Sequence, residues 1–327
     1  MIIPEFWAEA RIEHGRRSRH RAFTVRRFGW SDESQEAAQA HADARVREAH
    51  ARIVAGEPLL KREPKVPYNG AEGMPIREEI VQRQGDTIIS RNSYGALCLN
   101  TPDVLFADID FPKGVPTRLW GSVLALWVIG AIAFGNAMDS AGKGVALVIA
   151  GLFLSWPLAS GVHRAWQALR GGPERMALRR VQAFVAKHPG WRLRLYRTPA
   201  GLRLLALHRR FSPGDPEVQT LFEAIGTDRL YARMCQRQQC FRARVSAKPW
   251  RIGIRRHLRP RTGVWPLTDE QRPLREAWVR EYEARAQDFA ACRYLETRGD
   301  GQVDAEADAV RVLHDALAGA DSGRPIA

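Results

Sequence analysis

Two stretches in the middle of the chain, LWGSVLALWVIGAIAFGNA (Leu119–Ala137) and GVALVIAGLFLSWPLASGV (Gly144–Val162), carry no ionisable side chain. At a rise of 1.5 Å per residue, about 20 apolar residues span the roughly 30 Å hydrocarbon core of a bilayer, so each stretch is long enough to cross once. A helix of that length in a soluble core keeps a polar stripe, and neither stretch has one. The plain alternative is an apolar hairpin buried inside a large soluble protein. Lys113 and Arg118 precede the first stretch, and Arg164, Arg170, Arg175, Arg179 and Arg180 follow the second, whereas the connecting MDSAGKG carries only Lys143 beside Asp139. The excess of cations on the flanks predicts both long portions, and both termini, in the cytoplasm. Trp120, Trp156 and Trp166 stand near the ends of the spans, at the depth that indole rings prefer. Gly121 with Ala125, and Gly151 with Ser155 and Ala159, are small residues four apart. They allow close packing of the two helices or pairing with a second copy as a homodimer.

The start, MIIPEFWAEARIEHGRRSRHR, has no apolar run after its basic stretch, so no secretory signal is expected there. The formal charge of +14 on 327 residues directs attention to anionic partners: nucleic acid, a nucleotide or anionic lipid headgroups. Four scattered cysteines, Cys98, Cys235, Cys240 and Cys292, fit neither a disulfide framework nor a zinc site and predict reduced thiols.

Outward from the hairpin, alternation and turn residues predict a mixed α+β protein. AFTVRRFGW reads as a strand. A polar helix follows from Ser31 to about Ala55, with Asp32 and Gln35 as a capping box, and Gly56 stops it. DTIISRNSYGALCLN and DVLFADIDF, separated by Thr101-Pro102, read as a hairpin or meander. Beyond the spans a helix through Met176–Val185 ends at His188-Pro189-Gly190. WRLRLYRT and LRLLALHR then flank a turn at Pro199-Ala200-Gly201, and a helix covers Asp215–Ile225. A long amphipathic helix carrying Leu274, Trp278, Tyr282, Phe289 and Leu295, and an acidic helix from Asp304 to Leu317, complete the chain. The order implies one cytosolic α+β domain with a two-helix transmembrane hairpin inserted into it. Its parts are a β-α unit (1–59), the two halves of the domain (60–116 and 167–265), the hairpin (117–166) and a C-terminal helical region (266–327).

Charge is polarised along this chain. From Arg175 to Gly214 ten Lys or Arg occur with no acid, and from Arg229 to Arg261 eleven occur with none. The first block lies beside the membrane, where basic residues serve topology or rest on lipid headgroups. The second is distant enough to point to a phosphate-bearing ligand, with Arg242, Arg244, Lys248 and Arg251 as contacts. Tyr196, Tyr231, Phe241, Trp250 and Trp265 are candidate stacking surfaces.

In VLFADIDF, strand alternation sends Asp108 and Asp110 to one face, where two carboxylates can share Mg or Mn with phosphate oxygens. An acidic strand end paired with arginines is the plain alternative. An apolar strand ending in Asp-Ile-Asp, followed by a helix and a hairpin with a small-residue turn, resembles the archaeo-eukaryotic primase superfamily. That resemblance covers roughly residues 97–255. It implies an RRM-like (ferredoxin-like) sheet and two-metal nucleotidyl transfer, with Asp108 and Asp110 in the first motif and Thr198–Arg203 in place of Ser-Gly-x-Gly-x-His. Here Pro199 stands for the first glycine and Arg203 for the histidine, and Asp215 and Asp228 are the candidates for a third carboxylate. These departures imply a degenerate relative. RNSYGALCLNTPDVLFADIDF and FRARVSAKPWR resemble stretches of bacterial proteins described only as transmembrane proteins, which implies the inner membrane of a bacterium and adds nothing about activity.

Two functions follow as expectations. One is a membrane-anchored module that binds a phosphate-bearing partner through Arg203, Arg242, Arg244, Lys248, Arg251 and Trp250. The other is a metal-dependent phosphoryl or nucleotidyl transferase using Asp108 and Asp110.

Overall fold

The computed structural model describes residues 3–15, 22–64, 74–112, 114–260 and 265–327. Lys113 and Arg261, and the loop residues Pro67, Tyr68, Gly70 and Gly73, lie outside them.

Strands β1 (Phe6–His14) and β2 (Phe23–Ser31) form an antiparallel hairpin against which helix α1 (Gln35–Val54) packs through Ala38, Ala42, Val46 and Ala49. Small residues allow this close approach: a Cβ at Gly29 would lie 2.2 Å from the Ala42 amide nitrogen. Strand β1 has no counterpart in the sequence reading, and the helix begins later than expected. Ser34, not Asp32, caps it, its hydroxyl accepting the Ala37 N–H at 3.1 Å.

The chain then lays down β3 (Glu79–Gln84), β4 (Thr87–Arg91) and β5 (Leu97–Thr101) as an antiparallel meander. DTIISRNSYGALCLN is therefore itself a hairpin, turned at Asn92–Gly95, rather than one strand. Asn92 Oδ1 accepts the N–H groups of Tyr94 and Ala96, a side chain standing in for the backbone of the turn. Strand β6 (Phe106–Asp110) does not continue the meander; it crosses to another sheet.

Helices α2 (Thr117–Ala137) and α3 (Ala141–Leu169) form the apolar hairpin, joined by three residues, with Ser140 capping α3. Both are long and apolar enough to cross a membrane. They pack on each other: a Cβ at Gly135 would meet Gly144 Cα at 3.0 Å, and the Trp127 indole covers Gly151 and donates to the Leu147 carbonyl at 2.8 Å. Trp120 Nε1 donates to Ser155 Oγ at 3.1 Å. Gly151, Ser155 and Ala159 are thus spent inside the hairpin, while Gly121 has open space around it. The remaining faces are apolar and exposed, Phe153 to 74%, unlike a helix in a soluble core.

Two residues after α3, α4 (Gly172–Lys187) begins, followed by β7 (Leu193–Arg197), β8 (Gly201–Ala206), α5 (Pro216–Ile225), α6 (Arg229–Gln238), β9 (Phe241–Arg244), α7 (Arg272–Ala286), β10 (Arg293–Arg298) and α8 (Ala305–Ala318). Sequence reading takes α6 and β9 as an undivided basic stretch and runs α7 on through Leu295, which stands instead in β10. Two four-stranded sheets result, ordered β3-β4-β5-β9 and β10-β7-β8-β6. Helices α4 and α5 give the second sheet its core, burying Ala177, Val181 and Phe184, and Leu221, Phe222 and Ile225, in one cluster with Leu193, Leu195, Leu202 and Leu204. At the turn between β7 and β8, a Cβ on Gly201 would lie 1.8 Å from the Ile109 carbonyl oxygen. Backbone cannot yield there, and Gly201→Ala is expected to cost about 1–3 kcal/mol in a denaturant melt.

His314 on α8 is fully buried, its Nδ1 3.0 Å from Asp315 Oδ1 and its Nε2 without a partner among the described residues. Burial holds its pKa below the ordinary 6.5, and burial with Arg209 does the same at half-buried His208. Below pH 6.5 the unfolded chain therefore takes up protons that the folded one resists, and stability falls with pH. A thermal midpoint that is flat between about pH 7 and 8 and declines from pH 6.5 downward is expected, with the decline shallower in His314→Gln.

Candidate functional site

The two four-stranded sheets meet where β6 and β8 of one face β9 of the other, and the junction opens into a cleft of about 320 Å³. That volume suits a small molecule. Its walls bring together seven of the eight residues singled out in the sequence: Asp108, Asp110, Arg203, Arg242, Arg244, Lys248 and Arg251. The eighth, Trp250, adjoins it in the short helical turn Pro249–Arg251.

Strand pairing sets the floor. Asp108 on β6 stands directly opposite Arg203 on β8. The guanidinium grips the carboxylate with two bonds, Nε to Oδ1 at 2.8 Å and Nη2 to Oδ2 at 3.1 Å. Its third nitrogen, Nη1, donates to the Arg244 carbonyl at 2.8 Å, so Arg203 ties the two sheets together. Only 3% of Arg203 is exposed. Burial opposes its charge, and Asp108 outweighs burial, holding the guanidinium above its ordinary value. This pairing is the plain alternative weighed for the acidic strand end, and it engages Arg203 as one half of a largely buried ion pair in the cleft floor.

Arg242 is likewise engaged. Its Nη2 lies 2.6 Å from Glu78 Oε2, and its Nη1 donates to Asn100 Oδ1 at 3.0 Å. Glu78 is 3% exposed and also accepts the Ser90 hydroxyl at 2.8 Å. Glu78 escapes sequence reading because it sits among Pro75, Arg77 and Glu79 with no alternation to mark it as buried.

The remaining wall is cationic. Arg244 donates to the backbone carbonyls of Ser246 and Ala327. Lys248 Nζ lies 5.3 Å from the centre of the Trp250 ring and 5.9 Å from that of Tyr94. Arg251 Nη1 is buried with no hydrogen-bond partner among the described residues. Burial and the neighbouring Arg244 pull the Arg251 guanidinium below its ordinary value, with Tyr94 and Asp110 acting the other way. Neither Arg244 nor Arg251 forms an ion pair with a carboxylate among the described residues.

The donor set does not fit a divalent ion. No third carboxylate, His or Cys joins Asp108 and Asp110 in a metal-sized group among the described residues, and Asp108 already shares both oxygens with Arg203. Of the two candidate third carboxylates, Asp215 accepts the Ser212 N–H at the start of α5. Asp228 caps α6 through the Tyr231 N–H at 2.8 Å. Three of the five aromatics read as stacking surfaces belong elsewhere: Tyr196 and Phe241 are core, and Trp265 packs beside Trp7 and Phe28, while Tyr231, 8% exposed, lines the cleft wall. Trp250 alone among them is exposed, to 56%. Tyr94 is its partner at the rim, a residue that the Asn92–Gly95 turn signal could have marked.

Compared with protein-family models, with curated proteins and with solved structures, the chain matches none.

Proposed function

We propose that this chain is a membrane-anchored protein of a bacterial inner membrane whose cytosolic domain binds a phosphate-bearing ligand in the cleft between its two four-stranded sheets. One observation carries the reading. With Arg203 and Arg242 held by Asp108 and Glu78, the same cleft keeps a cationic wall in which Arg244 and Arg251 form no ion pair with a carboxylate among the described residues. Guanidinium groups gathered in a cleft without carboxylate partners repel one another, and a phosphate oxygen is the acceptor whose geometry and charge suit them. In this reading the segment β6–α4–β7–β8, in which β8 lies between β6 and β7, is the RRM-like part, and the apolar hairpin occupies the connection from β6 to α4. Nucleotidyl transfer by Asp108 and Asp110 is the less favoured function, because the pair with Arg203 competes with any metal for Asp108.

Tripolyphosphate titrated into the detergent-solubilised full chain, followed by calorimetry, tests the site. Arg244→Gln and Arg251→Gln are each expected to weaken binding by tenfold or more, in line with about 1.5–3 kcal/mol for a charge-assisted hydrogen bond. Affinity in the unsubstituted chain should fall as salt rises. Salt-insensitive binding, or unchanged affinity in both variants, would remove the proposal. The anchoring is tested separately. A reporter fused after Ala327 is expected to be active only in the cytoplasm and one inserted between Asp139 and Gly142 only outside, and the reverse pattern would overturn the orientation.

A further inference from the structure

We infer that the phosphate-bearing ligand of this cleft is a nucleotide, its base lying on the Trp250 and Tyr94 rings at the rim while its phosphates meet Lys248, Arg251 and Arg244. This rests on the reading of the cleft as a phosphate site and names the class of ligand.

The rim is built to be rigid. Tyr94 sits on a turn whose backbone is fixed by Asn92. The next residue, Gly95, adopts a φ of +97°, with no room for a side chain because a Cβ would lie 2.2 Å from the Trp278 ring. Trp250 sits in a one-turn helix closed by the Ile254 N–H donating to the Pro249 carbonyl at 2.9 Å. The two rings stand 5.2 Å apart at 62°, and the indole remains 56% exposed. An aromatic held on rigid backbone beside a polar cleft loses little entropy on binding a flat partner. Base stacking on such a surface accepts any base, since each has a π-face.

The cations stand where the rest of a nucleotide would fall. Lys248 lies against both rings, and Arg251 is the residue after Trp250, so a base on the indole places its phosphates beside these two side chains. A lipid headgroup or inorganic phosphate would use the same cations but would leave the aromatic corner empty. The cleft is of small-molecule size, which favours a mononucleotide over a strand.

Calorimetry on the full chain in detergent with EDTA decides it, using ATP, UTP, inorganic tripolyphosphate and dihexanoyl phosphatidic acid as probes. Both nucleotides are expected to bind at least tenfold tighter than tripolyphosphate, a difference of about 1.4 kcal/mol. Trp250→Ala should bring them to the tripolyphosphate level, and Trp250→Phe should keep most of the preference. Equal affinity for ATP and tripolyphosphate, or a preference that survives both Trp250→Ala and Tyr94→Leu, overturns the nucleotide assignment and leaves the phosphate site standing. Tightest binding of the phosphatidic acid overturns it in favour of a lipid headgroup. Binding of none of the four overturns the assignment and the phosphate site together.

Discussion

Asp108→Leu is expected to destabilise the protein by about 3–5 kcal/mol, the cost of stranding a buried charge by removing its partner. The stranded group is Arg203, 3% exposed and bound to Asp108 through two nitrogens. Arg203→Met alone leaves a half-buried carboxylate and should cost less. The double variant Asp108→Leu, Arg203→Met removes both charges and should recover much of the loss, because a buried pair replaced by apolar side chains is often near neutral. Denaturant melts of the four proteins give the coupling directly. The same melts with and without Mg²⁺ or Mn²⁺ separate the two functional readings. A metal held by Asp108 and Asp110 would raise the melting temperature of the unsubstituted chain, and Asn at both positions would relieve carboxylate repulsion and stabilise the metal-free form. The arginine clamp predicts no response to metal and a loss of stability in Asp108→Asn.

A second large effect is expected at Glu78, which accepts from both Arg242 and Ser90 and is 3% exposed. Glu78→Leu strands the Arg242 guanidinium inside the β5–β9 junction, and a loss of about 3–5 kcal/mol follows on the same grounds. Arg242→Glu is equally disruptive, since it sets two carboxylates against each other. Loss of ligand binding in either variant therefore reports a damaged cleft wall, whereas Arg244→Gln and Arg251→Gln leave the ion pairs of the floor intact. The outcome that would sink this assignment is an Arg242→Glu protein that melts like the unsubstituted chain yet binds no phosphate.

Features written in local chemistry were legible in the sequence. The apolar hairpin is marked by length and composition, β7 and β8 by alternation around Pro199-Ala200-Gly201, and α5 and α8 by Asp215 and Asp304 at their caps. The eight candidate residues were also visible as charge and ring chemistry, and seven of them line one cleft. Pairing was not visible. Whether Arg203 meets a phosphate or Asp108 depends on β6 crossing from the meander to the other sheet, which is a long-range choice made by burial of Phe106 and Ile109. The same choice separates Arg242, held by Glu78 from 164 residues away, from Arg244, which lies two residues on along β9. No local pattern distinguishes these arginines; only the register between β5 and β9 does. The end of α7 was misplaced for a related reason, because Phe289 and Leu295 continue an apolar pattern that the chain breaks to add β10 at the sheet edge.

The position of the apolar hairpin in the chain has a mechanical consequence. It enters six residues after β6 and leaves two residues before α4, and β6 is an edge strand whose outer side is tied to the start of α6, the Asp228 N–H donating to the Asp108 carbonyl at 3.3 Å and the Tyr231 hydroxyl to the Phe106 carbonyl at 3.0 Å. Once the hairpin is in a bilayer, any tilt imposed by membrane thickness pulls on the free end of that strand. The load is a peeling load, taken one rung at a time from Asp110 inward. The second rung from that end pairs Ile109 with Leu202, and the third pairs Asp108 with Arg203, where the arginine clamp and the Asp228 N–H together resist peeling, so a load carried by an inserted hairpin would reach the cleft floor first.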